Sequence, residues 1–471
     1  MIKHAKPKNL IYYLKRLFLA AAIVFCCWQL SVMYKHYSSL NIENILENSE
    51  LKNKGLKTKI KVISQDGLSA YFMEEHSTPI VSVSFLFRNS GTAHDAENKQ
   101  GLANFSALLL TEGAGDFDSQ KFKEIVEENG IKLGFSVSAD DFEGQLAFPV
   151  ENIKTAVSLL QEVLERPRLD ENSIYLKKQQ LLTVLQMQNE NPQQVLANKF
   201  KEDIFAGHPY ARNTLGKAED IKTFTADDIR TYLAQNLAQD NLIVGIAGDL
   251  SAAEAKKLLE DLFIKLPKES LTKPLPKIDF SADGVEYNTE RSSAQALTRL
   301  AAKGTFRDSA DFYPLYLVNY IFGESGLSSR LSKKIREKEG LTYGVYTYLS
   351  ISDAAALIGG GFSATHENFA KAQQMLKEEW LRLGENGLSN KELNEAKNSL
   401  INSFYLRFAN IDGVSGMLVS MQKYNLGLDF LDKRNDYVRN VSLKDANEAA
   451  KKYFSSIPDF VNIGVDSEEE K

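Results

Sequence analysis

The sequence predicts an α+β fold: two mixed α+β domains in tandem, one a copy of the other, behind an N-terminal apolar helix. Three observations predict it. The chain has 471 residues, too many for one domain and enough for roughly two to four. Short patterns return: Val150-Glu151-Asn152-Ile153 with Ala156 and Leu159-Leu160 recurs as Glu367-Asn368-Phe369 with Ala372 and Met375-Leu376. Leu169-Asp170-Glu171 before one long helix recurs as Leu388-Ser389-Asn390 before another, and the strand-like Asn241 to Gly248 recurs as Phe460 to Val465. A repeat of roughly 200 residues, each copy mixing strands with helices, is a duplicated domain. Between the copies, Lys265 to Lys277 holds Pro267, Pro274 and Pro276 and reads as a linker. The expected domains are 58–264 and 281–471, joined by 265–280.

Composition narrows the function. Hydrophobic residues make up 43% and charged residues 25%, as in an ordinary globular protein. The net charge of −6 is spread along the chain, with no basic stripe for nucleic acid. Glu468 to Glu470 read as a solvated tail. The only cysteines are Cys26 and Cys27, so nothing after them can form a disulfide or a cysteine metal cluster.

The element order starts at the N-terminus. Residues 1–16 carry Lys3, Lys6, Lys8, Lys15 and Arg16 and no acid. Leu17 to Tyr34 is almost wholly apolar, at the short end of what spans a bilayer. With the basic flank first, 1–16 should stay in the cytoplasm and the bulk of the chain should cross. Ser31 to Lys35 makes a poor cleavage site, so an uncleaved signal-anchor is expected rather than a cleaved signal peptide. Residues 35–57 form a polar stalk. The expected location is a bacterial inner membrane, single-pass, with the bulk in the periplasm.

Lys59 to Ile63 and Leu68 to Met73 read as strands around Gln65-Asp66-Gly67, and Ile80 to Arg88 alternates as a third. Helices are expected at 101–112 and at Ser119 to Asn129, the latter closed by Gly130. Strands Lys132 to Ala139 and Glu143 to Phe148 follow. Two helices run over Glu151 to Glu165 and Asp170 to Gln188, ending before Asn191-Pro192. A loop begins at His208-Pro209-Tyr210. Ala226 to Asn236 is helical, Asn241 to Ala247 a strand, and Ala252 to Phe263 a helix with Ser251 and Glu254 as its capping box. In the second half, Ser329-Arg330-Leu331 opens a basic amphipathic helix ended by Gly340. Leu341 to Tyr348 is a strand. Gly359-Gly360-Gly361 ends a strand-like segment and is not a phosphate loop, since no Lys-Ser/Thr follows at the required spacing.

The stretch Gly101-Leu102-Ala103-Asn104-Phe105-Ser106-Ala107-Leu108 decides the functional reading. Taken alone it starts a core helix, with Leu102, Phe105, Leu108 and Leu109 at helical spacing. With its Gly-apolar-Ala lead and its Thr111 to Gly113 end, it resembles the active-site helix of the pitrilysin-type (inverzincin) metallopeptidases. That family includes insulin-degrading enzyme and mitochondrial processing peptidase. There the helix carries His-x-x-Glu-His, two zinc ligands and the base that activates zinc-bound water. Here those positions are Asn104, Ala107 and Leu108. The family's third ligand, a Glu on a long helix shortly before a step such as Glu190-Asn191-Pro192, falls on Val184. The resemblance thus implies α/β-sandwich domains in half a clamshell with an erased zinc centre: no metal and no cofactor on this chain.

The six histidines offer no replacement. His94-Asp95 with Glu97 reads as a solvated polar loop, and His208-Pro209-Tyr210 as a structural one. A second motif is intact. Members of the family carry an Arg and a Tyr seven apart that reach the substrate, and Arg336 and Tyr343 stand at that spacing. A planar Arg fork and a Tyr hydroxyl suit a peptide carbonyl and its oxyanion. Gly323 and Gly326 fall in a flexible loop that overlies the substrate chamber in non-catalytic subunits. Some members divide zinc site and Arg/Tyr pair between chains. The resemblance therefore implies a heterodimer with a zinc-bearing homologue, in which this chain is the non-catalytic subunit and peptides are the substrate. The alternative is a membrane-anchored peptide-binding or scaffold protein with no catalytic partner. An active peptidase using other residues is disfavoured because ligands and base are all gone.

Overall fold

The computed structural model describes residues 60–408 and 410–465. The basic start, the apolar run 17–34, the stalk and the acidic tail lie outside the described residues. Among the described residues no helix is long and apolar enough to cross a membrane. Thr58–Lys471 forms one unit.

In the first repeat, strands β1 (Ile60–Gln65), β2 (Leu68–Glu74) and β3 (Ile80–Phe87) precede helices α1 (Leu102–Leu109) and α2 (Ser119–Glu128). Strands β4 (Lys132–Val137) and β5 (Phe142–Pro149) follow, then α3 (Ile153–Glu165), α4 (Glu171–Glu190) and α5 (Pro192–Ile204). The repeat closes with α6 (Ala218–Thr223), α7 (Ala226–Asn236), β6 (Leu242–Gly248) and α8 (Ala252–Phe263). Sheet order is β1-β2-β6-β3-β5-β4, with β2 and β6 the parallel pair.

The second repeat contains β7 (Glu286–Thr289), β8 (Ala296–Lys303), α9 (Phe312–Asn319), β9 (Val345–Ile351) and β10 (Ala356–Ala364). Helices α10 (His366–Asn386), α11 (Asn390–Phe404), α12 (Ile411–Lys423), α13 (Phe430–Asn440) and α14 (Leu443–Tyr453) lead to β11 (Asp459–Ile463). Its sheet runs β9-β10-β8-β11-β7, again with one parallel pair, β11 with β7. Strand for strand this matches β4-β5-β3-β6-β2. The duplication read from sequence is thus a duplicated sheet topology.

Side chains alternate across each strand, so each sheet has two faces to bury. Val81, Val83, Phe85 and Phe87 of β3 enter the first core with Phe105, Phe142, Leu160 and Phe263, under the helices of the same repeat. The second core gathers Leu300, Phe322, Trp380 and Phe454, where Trp380 lies 4.3 Å from Phe454 and donates its indole N–H to the Ser456 carbonyl at 2.9 Å.

The opposite faces are buried by exchange. Helix α12 of the second repeat lies across β2, β3 and β6 of the first, placing Val414, Leu418 and Met421 against Ala247. Helix α5 of the first repeat lies across β8 and β11 of the second, placing Leu196, Phe200 and Ile204 against Leu297, Ala301, Leu357, Val461 and Ile463. Serines and a glycine let α12 approach. Ser82 donates to Asp412 at 2.7 Å, and the Ser84 and Ser415 hydroxyls share a bond at 2.7 Å. A Cβ on Gly245 would sit 2.9 Å from Leu418 Cβ and closer still to the Ser415 carbonyl. The β9–β10 turn adds a second clasp. Asp353 N–H donates to Asp140 at 3.0 Å and Ala354 N–H to the Tyr210 hydroxyl at 3.0 Å, while Lys423 pairs with Asp141 and, at 3.4 Å, with Asp353.

Three local expectations change. The basic helix after Ser329 is a π-helix, Ser332–Lys338. The Gly359–Gly361 triplet sits in the middle of β10, not at a strand end. Leu341 to Thr342 does not start a strand, because the Thr342 hydroxyl bonds the Gly344 and Ser363 carbonyls and holds a turn before Val345.

Gly245→Ala should lower unfolding free energy by about 1–3 kcal/mol, because the helix backbone must move to accept a methyl group. Gly134→Ala on β4, where a Cβ meets nothing within 4 Å, should stay within about 0.5 kcal/mol of wild type. Urea denaturation of the two variants checks the comparison.

Candidate functional site

Helix α1 is fixed at its N-terminus by a buried carboxylate. Asp95 accepts from Gly101 N–H at 2.8 Å and Ala103 N–H at 3.0 Å, satisfying donors that the helix cannot. Burial pushes the Asp95 carboxyl up to about 7 against the pull of those hydrogen bonds and of Arg212. Arg212 in turn donates to the Asp95 carbonyl at 2.7 Å and to Glu97 at 2.6 Å. The solvated loop expected at 94–97 is therefore a structural staple, exposed at Ala96 and Glu97. His208 is structural as expected: its ring accepts from Tyr210 N–H at 3.1 Å and lies 3.1 Å from the Pro276 carbonyl.

Anchored this way, α1 packs against the edge strand β4 and against α4 and α7. The four positions singled out in the sequence all sit on this packed pair of helices, α1 and α4. Ala107 is buried, Asn104 is half-buried, Leu108 is 37% exposed and Val184 is 38% exposed. Zinc needs nitrogen, sulfur or carboxylate donors. Leu108 and Val184 present hydrocarbon, and Asn104 presents an amide nitrogen that is buried with no partner. These residues do not fit the metal. Among the described residues no three His, Cys, Asp or Glu side chains converge elsewhere to hold one.

The Arg/Tyr pair flanks a turn. Arg336 lies in the π-helix, whose wide hydrogen-bonding pattern frequently occurs at functional sites. Gly340, at φ +65°, reverses the chain, and Leu341 N–H closes onto the Ile335 carbonyl at 3.0 Å. Tyr343 then projects into solvent, 81% exposed. Neither side chain has a hydrogen bond or ion pair among the described residues. Arg330, on the same segment, is tied down by a two-pronged bond to Glu392 at 2.6 and 2.9 Å and holds that carboxyl down at about 2. Gly323 and Gly326 are in helical turns rather than an open loop: Gly323 is buried in a π-turn, Tyr320–Glu324, and Gly326 starts a 3-10 turn.

Comparison with known proteins turns this geometry into a family assignment. A family model described as Insulinase (Peptidase family M16) matches residues 71–218, and one described as Peptidase M16 inactive domain matches residues 223–400. The chain belongs to peptidase family M16. Among M16 relatives, the Non-peptidase homolog YmxG of Helicobacter pylori is 27% identical over 391 residues, covering 83% of this chain and 90% of that one. The Uncharacterized zinc protease YmxG of Bacillus subtilis is 22% identical over 374 residues, 78% and 88% of the two chains. A crystal structure of a peptidase M16 inactive domain from Pseudomonas fluorescens shares the fold, with a TM-score of 0.81 at 24% identity, over 87% of this chain and 98% of that one.

For an M16 chain, the residues that sequence reasoning missed are those that hold the site rather than line it. Asp95 looked like a loop acid. The sequence gap between Gln188 and His208 hides α5, although Asn191-Pro192 is a cap followed by proline at the first helical position. Asn191 accepts from Gln193 N–H at 2.9 Å there.

The carboxyl of Asp95 has a folded pKa of about 7 against an ordinary 3.8. The native state therefore holds its proton more tightly, and the contribution is full below about pH 4 and falls as pH rises through 7. Asp95→Asn should flatten that slope, and Asp95→Ala, which orphans two helix N–H groups, should cost about 1–3 kcal/mol. Denaturation from pH 4 to 8 checks both. Calorimetric titration of the wild-type chain with zinc should show no stoichiometric site, and chelator should leave its melting temperature unchanged.

Proposed function

We propose that this chain is a pseudo-peptidase subunit that completes the substrate chamber of a zinc-bearing M16 partner and helps hold extended peptides there. One observation carries the reading: the metal positions hold Asn104, Ala107, Leu108 and Val184, while Arg336 and Tyr343 keep their spacing and have no side-chain bond among the described residues. Tyr343, 81% exposed, is free to touch another molecule. Two of the relatives' names fit the reading. One is a non-peptidase homologue, and another, 21% identical over 329 residues, is the beta subunit of mitochondrial-processing peptidase of Saccharomyces cerevisiae.

The edge strand supports peptide holding. Strand β4 ends the first sheet and is unpaired on its outer side among the described residues. Its burial alternates regularly, with Leu133, Phe135 and Val137 inward and Lys132, Gly134 and Ser136 outward. A cleft of about 580 Å³ runs between β4 and α12, past Asp412 and Lys423. An extended peptide can add to such an edge through backbone bonds alone, which suits substrates of varied sequence. The anchor belongs to the same proposal: residues 1–16 inside, 17–34 across the membrane, and the M16 body beyond it in the periplasm of a double-membraned bacterium, where the partner also resides.

Affinity purification of the detergent-solubilised chain from its native membrane should bring down a stoichiometric homologue bearing His-x-x-Glu-His. The mixture should cleave peptides, and Arg336→Ala or Tyr343→Phe should cut kcat/KM by about 10²-fold with no loss of complex. Recovery of the chain without such a homologue would overturn the pairing and leave a peptide-holding or scaffold protein.

A further inference from the structure

The two exchanged helices cover their sheets with different chemistry. Under α12 the first sheet is internally satisfied: the Ser82, Ser84 and Ser415 hydroxyls bond one another and Asp412, and Asp412 also takes Lys132 at 2.9 Å. Under α5 the second sheet is not. Along β8, Ala296, Leu300 and Ala302 enter the core, while Leu297 and Ala301 face α5. Arg299 shares that second face by alternation. Lys201 comes to the same place from α5.

Between them is a cavity of about 220 Å³, lined by Lys201, Arg212, Arg299, Tyr348, Ser350 and Thr214 among others. It has room for about seven waters at liquid density. Its lining contains three cations and several hydroxyls but no carboxylate among the described residues. Arg212 is committed to Asp95 and Glu97. The side chains of Lys201 and Arg299 have neither an ion pair nor a hydrogen bond among the described residues. Burial, and then the charge of Arg299, hold the Lys201 ammonium below the usual lysine range. Two uncompensated like charges in a confined space cost stability unless an anion joins them. Tyr348 lies along the strand because Gly359 gives it room: a Cβ there would be 2.7 Å from its ring.

We propose that Lys201 and Arg299 bind a small oxyanion, a phosphate or a carboxylate, in this cavity between α5 and the second sheet. Arg299 supplies a planar fork that matches two oxygens, and Lys201 supplies a point charge. The hydroxyls at the rim can donate to the remaining oxygens. The carboxylate would come from a held peptide and the phosphate from solution. The assignment does not rest on the peptide reading, since inorganic phosphate tests it with no peptide present.

The experiment is thermal unfolding and calorimetry on the full chain in detergent, in chloride buffer at fixed ionic strength. Three titrants are compared: inorganic phosphate, a ten-residue peptide with a free C-terminus, and the same peptide amidated. Binding of phosphate, raising the melting temperature and weakened about tenfold or more in Lys201→Met and Arg299→Met, supports the site with phosphate as its ligand. Binding of the free-acid peptide, lost on amidation and in the same variants, supports it with a peptide carboxylate as ligand. In either case Lys201→Met should melt no lower than wild type without ligand, because it removes one of two repelling charges. Arg299→Lys, which keeps the charge without the fork, should retain part of the affinity. No stabilisation by phosphate or the free-acid peptide, or binding indifferent to both charges, overturns the proposal.

Discussion

Each sheet in this protein has a second face that its own repeat cannot cover, and the exchange of α5 and α12 is what covers it. That constraint shapes the rest. It explains Gly245 and the serines of β3, which keep the strand surface low enough for a helix backbone to rest on it. It explains the clasp at the β9–β10 turn, where Asp140, Tyr210 and Asp353 bridge the repeats. It also leaves α1, α4 and β4 rigidly placed at one rim, since the sheet they lean on is held from both sides.

The packed helices α1 and α4 illustrate this placement. Leu108 and Val184 are partly exposed hydrocarbon side chains on helices packed against each other, and Ala107 joins the core. Helix α1 is secured by Asp95 at its start and by aromatic packing along its length, with Phe105 5.4 Å from Phe224. The Arg336 and Tyr343 segment is the reverse case. Its backbone is elaborately fixed, through Arg330, Glu392 and the turn at Gly340, yet neither side chain has a hydrogen bond or ion pair among the described residues.

Much of this was legible in the sequence. Alternation identified β3 without ambiguity, Ser251 and Glu254 marked the start of α8, and the recurrence of Ala156 and Leu160 as Ala372 and Leu376 exposed the duplication. The family pattern singled out Asn104, Ala107, Leu108 and Val184, which fall on the packed helices α1 and α4. What stayed hidden depended on partners distant in sequence. The apolar face of α5 matches strands beginning near residue 296, and that of α12 matches strands from residue 68, so neither helix has a local reason to look amphipathic toward its neighbours. Asp95 was hidden for the same reason: a carboxylate six residues before a helix donor reads as loop until the chain is seen to double back. The π winding around Arg336 has no signature in composition at all.

The exchange also sets an order on biosynthesis. Ser82 and Ser415, bonded at 3.0 Å, are 333 residues apart, so the first sheet is not closed until α12 has been made. Throughout most of synthesis its outer face, with Tyr71, Met73 and Ala247, is uncovered, and so is the apolar stripe of α5 that waits for β8 and β11. Loop closure over such a span is slow, and an uncovered sheet face invites association with other chains. The nascent protein is therefore two incomplete halves that become stable together, late and almost at once. A truncation that looks like a clean single domain on paper leaves one sheet face with no helix to cover it.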